Sequence, residues 1–235
     1  MLAAGQGTRL KPLTNSVPKC LVPINGIPLL QYWLKLFELH HIDEILINIH
    51  HLNSQVEQFC ASYIGPVKIN LYYEKNLLGS LGTIIQNKEF IKEESRFLIC
   101  YSDNITNINL TEIINAHSNN DFTMGLFKAH NPSECGIITM DDNNNIVSFI
   151  EKPKTLKSNL ANAGLYVVST NIIFELSSMK GGLLDIAQHL IPSLIGRYNI
   201  KGYIINDFLM DIGTLDNYYA ANDILKSDSS LFKSM

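Results

Sequence analysis

Short apolar runs alternate with longer segments of helical period through the first half of the chain, and this alternation constrains the fold more than any other feature. Residues 2–4 read as the end of a buried strand, and residues 28–40 as a helix with proline in its first turn. Residues 44–49 are expected as a strand, Asn53 as the cap of a helix running to about Tyr63, and residues 67–73 as an alternating strand. Residues 83–87 follow as helix, residues 96–101 as a buried strand, and Asn109 as the cap of a helix ending near His117. A repeated strand–helix order of this kind buries a largely parallel sheet between helices on both faces.

The second half has another character. Residues 136–140 and 146–150 flank Asp141-Asp142-Asn143-Asn144-Asn145, a polar turn run typical of a hairpin. Residues 163–168 read as a strand, 183–195 as an amphipathic helix, and 203–205 and 208–210 as short strands. Thr214 is expected to cap a last helix over residues 215–225, and the Ser-rich stretch after Lys226 to fray. The fold class expected is therefore α/β: a Rossmann-like three-layer αβα core with a mostly parallel mixed sheet and a small antiparallel insertion. The 235 residues are expected to form a single domain with two halves, 1–130 and 131–226.

Charge narrows the ligand. The net charge of −4 argues against general nucleic-acid binding. Residues 1–37 contain no Asp or Glu but include Arg9, Lys11, Lys19 and Lys35, so they carry +4 and the remainder −8. A local basic segment in an acidic chain suits a small polyanion. Cys20, Cys60, Cys100 and Cys135 show neither a C-x-x-C pair nor a zinc spacing, and read as buried free thiols of a reducing compartment. The longest patterned apolar stretch, residues 28–39, is interrupted by Gln31, Lys35 and Glu38, too polar to span a membrane. Met1 leads straight into a strand and a Gly-rich turn with no basic leader, so no signal peptide is read and a cytoplasmic location is expected.

Gly5-Gln6-Gly7-Thr8-Arg9 directly follows the first strand. Glycines let backbone N–H groups turn toward a phosphate and approach it closely. A dinucleotide fingerprint would need Gly or Ala where Leu10 stands and an acid about twenty residues on, yet none precedes Glu38. A P-loop would need Gly-Lys-Ser/Thr where this chain has Gly-Thr-Arg. Alone, Gly-x-Gly is most often a turn.

The longer string is far more specific. Leu2-Ala3-Ala4-Gly5-Gln6-Gly7-Thr8-Arg9-Leu10-Lys11-Pro12-Leu13-Thr14, then Pro18-Lys19-Cys20-Leu21-Val22-Pro23-Ile24 and Gly26-Ile27-Pro28-Leu29-Leu30, resembles the opening of the sugar-nucleotide pyrophosphorylases, the sugar-1-phosphate nucleotidyltransferases. Leu78-Gly79-Ser80-Leu81-Gly82-Thr83, Ser102-Asp103-Asn104, Ile150-Glu151-Lys152-Pro153, Asn162-Ala163-Gly164-Leu165-Tyr166 and Asp211-Ile212-Gly213-Thr214 match in order, so the resemblance covers essentially the whole chain.

That resemblance implies an enzyme converting a nucleoside triphosphate and a sugar 1-phosphate to a nucleotide sugar and pyrophosphate, in the supply of surface-polysaccharide precursors. It implies catalytic roles for Arg9 and Lys19, and Mg²⁺ or Mn²⁺ held by Asp103 and Asp211. Nucleotide recognition would fall to Leu2, Ala3, Ala4, Gly5, Gln6, Gly7, Thr8, Gly79, Gly82 and Thr83, with residues 1–130 as the nucleotide half. Sugar-phosphate recognition would fall to Gly136, Glu151, Lys152 and Asn162, in residues 131–226. The plainer readings are surface cations for Arg9 and Lys19, a loop cap for Asp103, a helix N-terminal acid for Asp211, and a solvated strand end for Glu151 and Lys152. Lys11 stays outside the catalytic set. Glu74 reads equally as a base ligand and as a solvated strand-end acid. His40-His41 and His50-His51 are adjacent rather than spaced i,i+4, and read as exposed element ends; His189 reads as structural. Two departures stand out. Ser102 occupies a position where many relatives have Gly, and relatives usually carry several residues before Leu2, which implies a late start codon or a truncated strand.

Pro18-Lys19-x-Leu21-Val22-Pro23 and the short chain look closest to guanylyltransferases acting on mannose or heptose 1-phosphate. Uridylyl and thymidylyl transfer remain open, as does a non-catalytic nucleotide-sugar sensor, although a pure binder has no need of Arg9, Lys19, Asp103 and Asp211 together. A glycosyltransferase would want Asp-x-Asp where Ser102-Asp103-Asn104 stands. The partners expected are the two substrates, with no nucleic acid and no membrane; a homo-oligomer is left open.

Overall fold

The computed structural model describes residues 1–155, 158–179 and 182–232, which form two compact units, each assembled from separate stretches of chain. The first unit comprises Met1–Leu77, Tyr101–Leu110 and Asp207–Met235; the second comprises Leu78–Cys100 and Thr111–Asn206.

In the first unit the helix Leu29–Leu39 starts after Pro28 and buries Leu29, Leu30, Trp33, Leu34, Leu36 and Phe37, the one-sided spacing of an amphipathic helix. The strands Glu44–Ile49 and Lys68–Tyr73 pair in parallel, and the helix Asn53–Ser62 joins them. Asn53 is the first residue of that helix rather than its cap; Leu52 holds the cap position at φ 51° with no side-chain bond. Leu2 is bridged in parallel to both Asn48 and Tyr101, so residues 2–4 contribute a bridge rather than an extended strand. The short strand expected at residues 208–210 is Leu209–Asp211, and it forms an antiparallel ribbon with Asn104–Thr106, a partner that was not legible in the sequence. The last helix, Leu215–Ser227, opens at Thr214, whose Oγ1 accepts from Asn217 N at 3.3 Å. In the described part of the stretch expected to fray, the turn Ser229–Phe232 sets the Phe232 ring edge-on to Tyr32 at 5.1 Å and 6.2 Å from Phe208; residues 233–235 of that stretch lie outside the described residues. Aromatic edge-to-face contacts hold the turn in place. Leu10, Ile24, Leu29, Ile105, Ile212, Ala221 and Leu225 share one buried core.

In the second unit Leu160–Ser169 is the central strand. It runs antiparallel to Arg96–Cys100, Phe122–Lys128 and Gly136–Met140. Ile200–Ile204 adds parallel to Phe122–Lys128, and Ile146–Glu151 closes the expected hairpin with Gly136–Met140. Asp141 fastens the hairpin turn: its Oδ1 accepts from the backbone N–H of Asn143 and Asn145 at 2.9 and 2.8 Å. The amphipathic segment expected as one helix is a π-type turn, Ile186–Leu190, leading into the short helix Ile191–Leu194. Pro192 lacks the N–H that a continuous α-helix needs there. The class is α/β with a mixed sheet and small antiparallel pieces.

Among the described residues no helix is long and apolar enough to cross a membrane. None of the four cysteines is in a disulfide among the described residues. Burial pushes Cys20 up to about 12 and Cys100 to about 11, which leaves both inert near neutrality, while Cys60 and Cys135 are only half-buried.

His117 couples the second unit to pH. It is 1% exposed, with Nδ1 3.0 Å from Thr123 Oγ1 and Nε2 3.2 Å from Ser169 Oγ. Burial first, then the charge of Arg96, holds its pKa below the ordinary 6.5, with Asp121 opposing. The unfolded chain therefore binds this proton before the folded chain does, and stability falls as pH drops from 6.5 toward the folded value. The urea midpoint should fall more steeply between about pH 7.5 and about pH 5.5 for the wild type than for His117→Gln. Parallel slopes would contradict this assignment.

Candidate active site

The glycine loop is pinned at both ends and open between. Ala4 and Leu10 are buried at 6% and 0% exposure, while Gly5, Gln6, Thr8 and Arg9 face solvent. Gly7 turns the chain at φ 63°, and Leu10 N donates to Gly7 O at 2.9 Å, closing the turn Thr8–Leu10. A Cβ on Gly7 would sit 2.7 Å from Thr14 Cγ2, so the position is glycine for reasons of fold. Thr14 Oγ1 donates to Gly7 O at 2.7 Å, and His51 Nε2 lies 3.0 Å from Thr14 O. His51 is thus a prop of this loop rather than a free element end. Gly5 differs: a Cβ there would meet nothing within 4 Å, and its φ is not positive. The protein supplies no reason for the missing side chain, whereas a closely bound ligand would.

Below the loop, Ala3 N donates to Asn48 Oδ1 at 2.7 Å, and Asn48 Nδ2 donates to Glu74 Oε1 at 2.8 Å. Glu74 is 2% exposed, so it is not a solvated strand end; it is tied to the backbone of the Leu2–Ala4 segment through Asn48. His50 Nδ1 lies 2.7 Å from Glu74 O and props the same strand end.

Charged residues gather in the same unit. In the ribbon Asp211 stands opposite Asn104, and Ile212 N donates to Asp103 O at 2.7 Å, so Asp103 and Asp211 leave neighbouring strands side by side. Trp33 Nε1 donates to Asn104 O at 2.8 Å and holds the ribbon against the first helix. Lys19 Nζ is 2.6 Å from Asp103 Oδ2 and 4.0 Å from Asp211 Oδ1. Fully buried Cys20 anchors the turn Lys19–Leu21 that presents it. Arg9 reaches toward the same place: a Cβ on Gly213 would fall 2.9 Å from Arg9 Nη2 and hard against Asp211 Oδ2, so Gly213 makes room for both. Arg9 is exposed and in no ion pair among the described residues. Burial, then the neighbouring charge of Asp103, holds the Asp211 carboxyl above the usual carboxylate range, against the pull of Lys19 and Arg9. Asp211 does not serve as a helix cap by its side chain; only its carbonyl accepts, from Asn217 Nδ2 at 2.9 Å.

Two carboxylates side by side, with Asp211 held above the usual range by burial and by its neighbour, form a hard oxygen donor set whose repulsion a divalent cation relieves, and the residues fit such an ion. Among the described residues no group of three or more His, Cys, Asp or Glu could hold a metal. The protein would give two ligands and leave the rest to water and phosphate oxygens, the habit of Mg²⁺.

The remaining sequence candidates lie in the second unit. Gly79 has φ 80°, and a Cβ there would collide with Leu184 O, which also accepts from Leu81 N and Gly82 N at 3.0 and 3.1 Å. The glycine signal at Gly79, which suggested room for a flat ring, is thus already used by the Leu184 backbone. Thr83 is buried, and its Oγ1 donates to Gly79 O at 3.0 Å. Gly136 stands opposite Glu151, and a side chain there would collide with the Phe149 ring and Glu151 Oε2. Partial burial, with the charge of Asp185 adding and Lys152 opposing, raises the Glu151 carboxyl above its ordinary range. Lys152 is held at φ 46°, a strained backbone of the kind that collects at functional sites. Asn162 sits where the register of its strand shifts; its Oδ1 accepts from Gly164 N at 3.0 Å and its Nδ2 donates to Tyr166 Oη at 2.7 Å. Sequence reading missed Asp185, whose Oδ2 accepts from Ser80 Oγ at 2.7 Å and whose Oδ1 accepts from Ala187 N at 2.8 Å. An Asp opening a helical segment was the available signal.

The family model of the nucleotidyl transferases matches residues 1–228. The chain is 32% identical over 217 residues to the bifunctional protein GlmU of Methanococcus aeolicus, covering 91% of this chain and 50% of that protein. It is 29% identical over 240 residues to the UTP–glucose-1-phosphate uridylyltransferase of Synechocystis, covering 94% of this chain and 61% of that one. It therefore spans between 50% and 61% of the length of these two relatives. The crystal structure of HddC from Yersinia pseudotuberculosis complexed with GMP-PN superposes with a TM-score of 0.81 at 21% identity, over 95% of this chain and 97% of that one, and shares its fold.

Proposed function

The chain belongs to the nucleotidyl transferase family, and from that premise we propose that it transfers a nucleotidyl group from a nucleoside triphosphate to a sugar 1-phosphate and releases pyrophosphate. The observation that carries this reading is the gathering of Lys19, Asp103 and Asp211, with Arg9 beside them, next to an open glycine loop.

The chemistry asks for such a site. A sugar-phosphate oxygen attacks the α-phosphorus in line while the bond from that phosphorus to the bridging oxygen breaks, and the electron pair leaves on pyrophosphate. Both reactants are anions, so repulsion is cancelled before positioning can act. Arg9 offers a planar fork to the β- and γ-phosphate oxygens and meets the charge that grows on the leaving group. Lys19 meets the reacting phosphates as a point charge. Asp103 and Asp211 would hold Mg²⁺ or Mn²⁺, which when bound supplies charge neutralisation at the phosphate oxygens. Gly5, Gln6, Gly7 and Thr8 bring backbone N–H groups to the triphosphate, while Leu2, Ala3 and Ala4 line its nucleoside end. Gly79, Gly82 and Thr83 also fall in the nucleotide half, residues 1–130, but the Leu184 backbone already fills the space at Gly79 and accepts from Gly82 N, so the nucleotide reading rests on the glycine loop. Gly136, Glu151, Lys152 and Asn162, in residues 131–226, take the sugar phosphate, with Glu151 and Asn162 suited to hydroxyls and Lys152 to the phosphate.

The finer reading is GTP with mannose or heptose 1-phosphate, on the strength of Pro18-Lys19-Cys20-Leu21-Val22-Pro23; the Synechocystis relative is named for UTP, so both bases enter the test. Pyrophosphate release from triphosphate and sugar 1-phosphate should fall to background in excess chelator and return when Mg²⁺ is restored. Full turnover in chelator would overturn the roles given to Asp103 and Asp211.

A further inference from the structure

The side chain closest to the carboxylate pair is itself a cation, and it is the least exposed member of the group. Lys19 has 12% of its side chain exposed, against 29% for Asp103 and 44% for Asp211. Its Nζ lies 2.6 Å from Asp103 Oδ2, the distance of a charge-assisted hydrogen bond, and leans toward Asp211 Oδ1 at 4.0 Å. A divalent ion at about 2.1 Å from oxygens of the same two carboxylates would draw on the same negative charge and repel the ammonium a few ångströms away. Each cation weakens the other's hold on Asp103.

Lys19 also has somewhere to go. Its backbone is fixed by buried Cys20, but its stem runs beside the glycine loop: a Cβ on Gly7 would stand 3.3 Å from Lys19 Cβ. An anion seated on that loop comes within reach of the same side chain. Without one, leaving Asp103 would strand a nearly buried ammonium with no counter-charge, a costly state.

We propose that Lys19 is the resident counter-cation of the Asp103–Asp211 pair and competes with the divalent ion for it, so that the metal binds weakly until an anion on the glycine loop draws Lys19 away. The proposal rests on the nucleotidyl-transfer reading and adds to it a coupling between metal and anion that runs through one side chain. By linkage, whatever strengthens one strengthens the other.

Mn²⁺ binding to the protein free of nucleotide, followed by electron paramagnetic resonance, tests this apart from turnover. Lys19→Met and Lys19→Gln should each bind Mn²⁺ at least about tenfold more tightly than the wild type, the equivalent of one charge-assisted hydrogen bond no longer displaced. Mn²⁺ should also raise the melting temperature of these variants more than that of the wild type. Lys19→Arg keeps the charge and should stay near the wild type. Asp103→Asn in the Lys19→Met background should lose the gain. A cooperative melt identifies the folded variants, and Lys19→Gln stands in if Lys19→Met does not fold. Equal Mn²⁺ affinity in the wild type and the neutral variants would overturn the competition while leaving the metal site standing. No Mn²⁺ binding by any variant would overturn both.

Discussion

Arg9→Ala is expected to lower kcat for nucleotidyl transfer by about 10²–10³, the typical loss for one preorganised charge-stabilising donor, and to weaken triphosphate binding less. The reason lies in when the interaction is used. Charge on the departing pyrophosphate grows only as the bond to the α-phosphorus breaks, and interactions stronger in the transition state than in the ground state set kcat. Arg9 is suited to wait for that charge because it is exposed and committed to no ion pair among the described residues. The fold does not depend on it: buried Leu10, its neighbour, holds the loop in the core shared with Ile105 and Ile212. The melting temperature should therefore stay unchanged. Arg9→Lys should recover only part of the rate, since the bidentate fork is lost. Steady-state kinetics on both variants settle the point, and a near-normal kcat for Arg9→Ala would remove Arg9 from the machinery.

Gly5→Ala should cost about 10² in kcat/KM for the triphosphate with no loss of stability, because an added methyl meets open space in the protein and crowds only a ligand. Gly7→Ala should lose both. Its backbone lies at φ 63°, and the new methyl would press on Thr14 Cγ2 at 2.7 Å, where Thr14 is 1% exposed and cannot yield. Strain and overpacking together should cost about 2–4 kcal/mol of stability. Melting curves beside kinetics separate the two glycines. A fully active Gly5→Ala would mean that no ligand approaches the loop as closely as proposed.

Where helical period and turn chemistry agreed, the sequence was legible. The helix Leu29–Leu39, the strands Glu44–Ile49 and Lys68–Tyr73, the hairpin around Asp141 and the helix opened by Thr214 all follow from local pattern. What escaped depends on distant partners. Phe122–Lys128 carries Gly125 at its centre, and the approach of Ile205 Cδ1 and Leu165 O, 3.0 and 3.2 Å from where a Cβ would stand, explains why a strand keeps a glycine. The ribbon of Asn104–Thr106 with Leu209–Asp211 joins short segments far apart in the sequence; the strand near 208–210 was legible, but no local period marks its partner Asn104–Thr106. The same division holds for the site. Order of motifs pointed to Arg9, Lys19, Asp103 and Asp211, but the ion pair of Lys19 with Asp103 and the props supplied by Thr14, His51 and Asn48 follow from contacts alone. Gly79 shows the limit of motif reading, since its glycine answers to Leu184 within the protein.

Pyrophosphate release measured with each nucleoside triphosphate against several sugar 1-phosphates, with the second product identified by mass, tests the central claim most directly. The account predicts pyrophosphate and a nucleotide sugar in equal amounts for at least one pair, and neither when the sugar 1-phosphate is left out. Tight binding of nucleotide or nucleotide sugar with no pyrophosphate from any pair would contradict it and leave a sensor in its place.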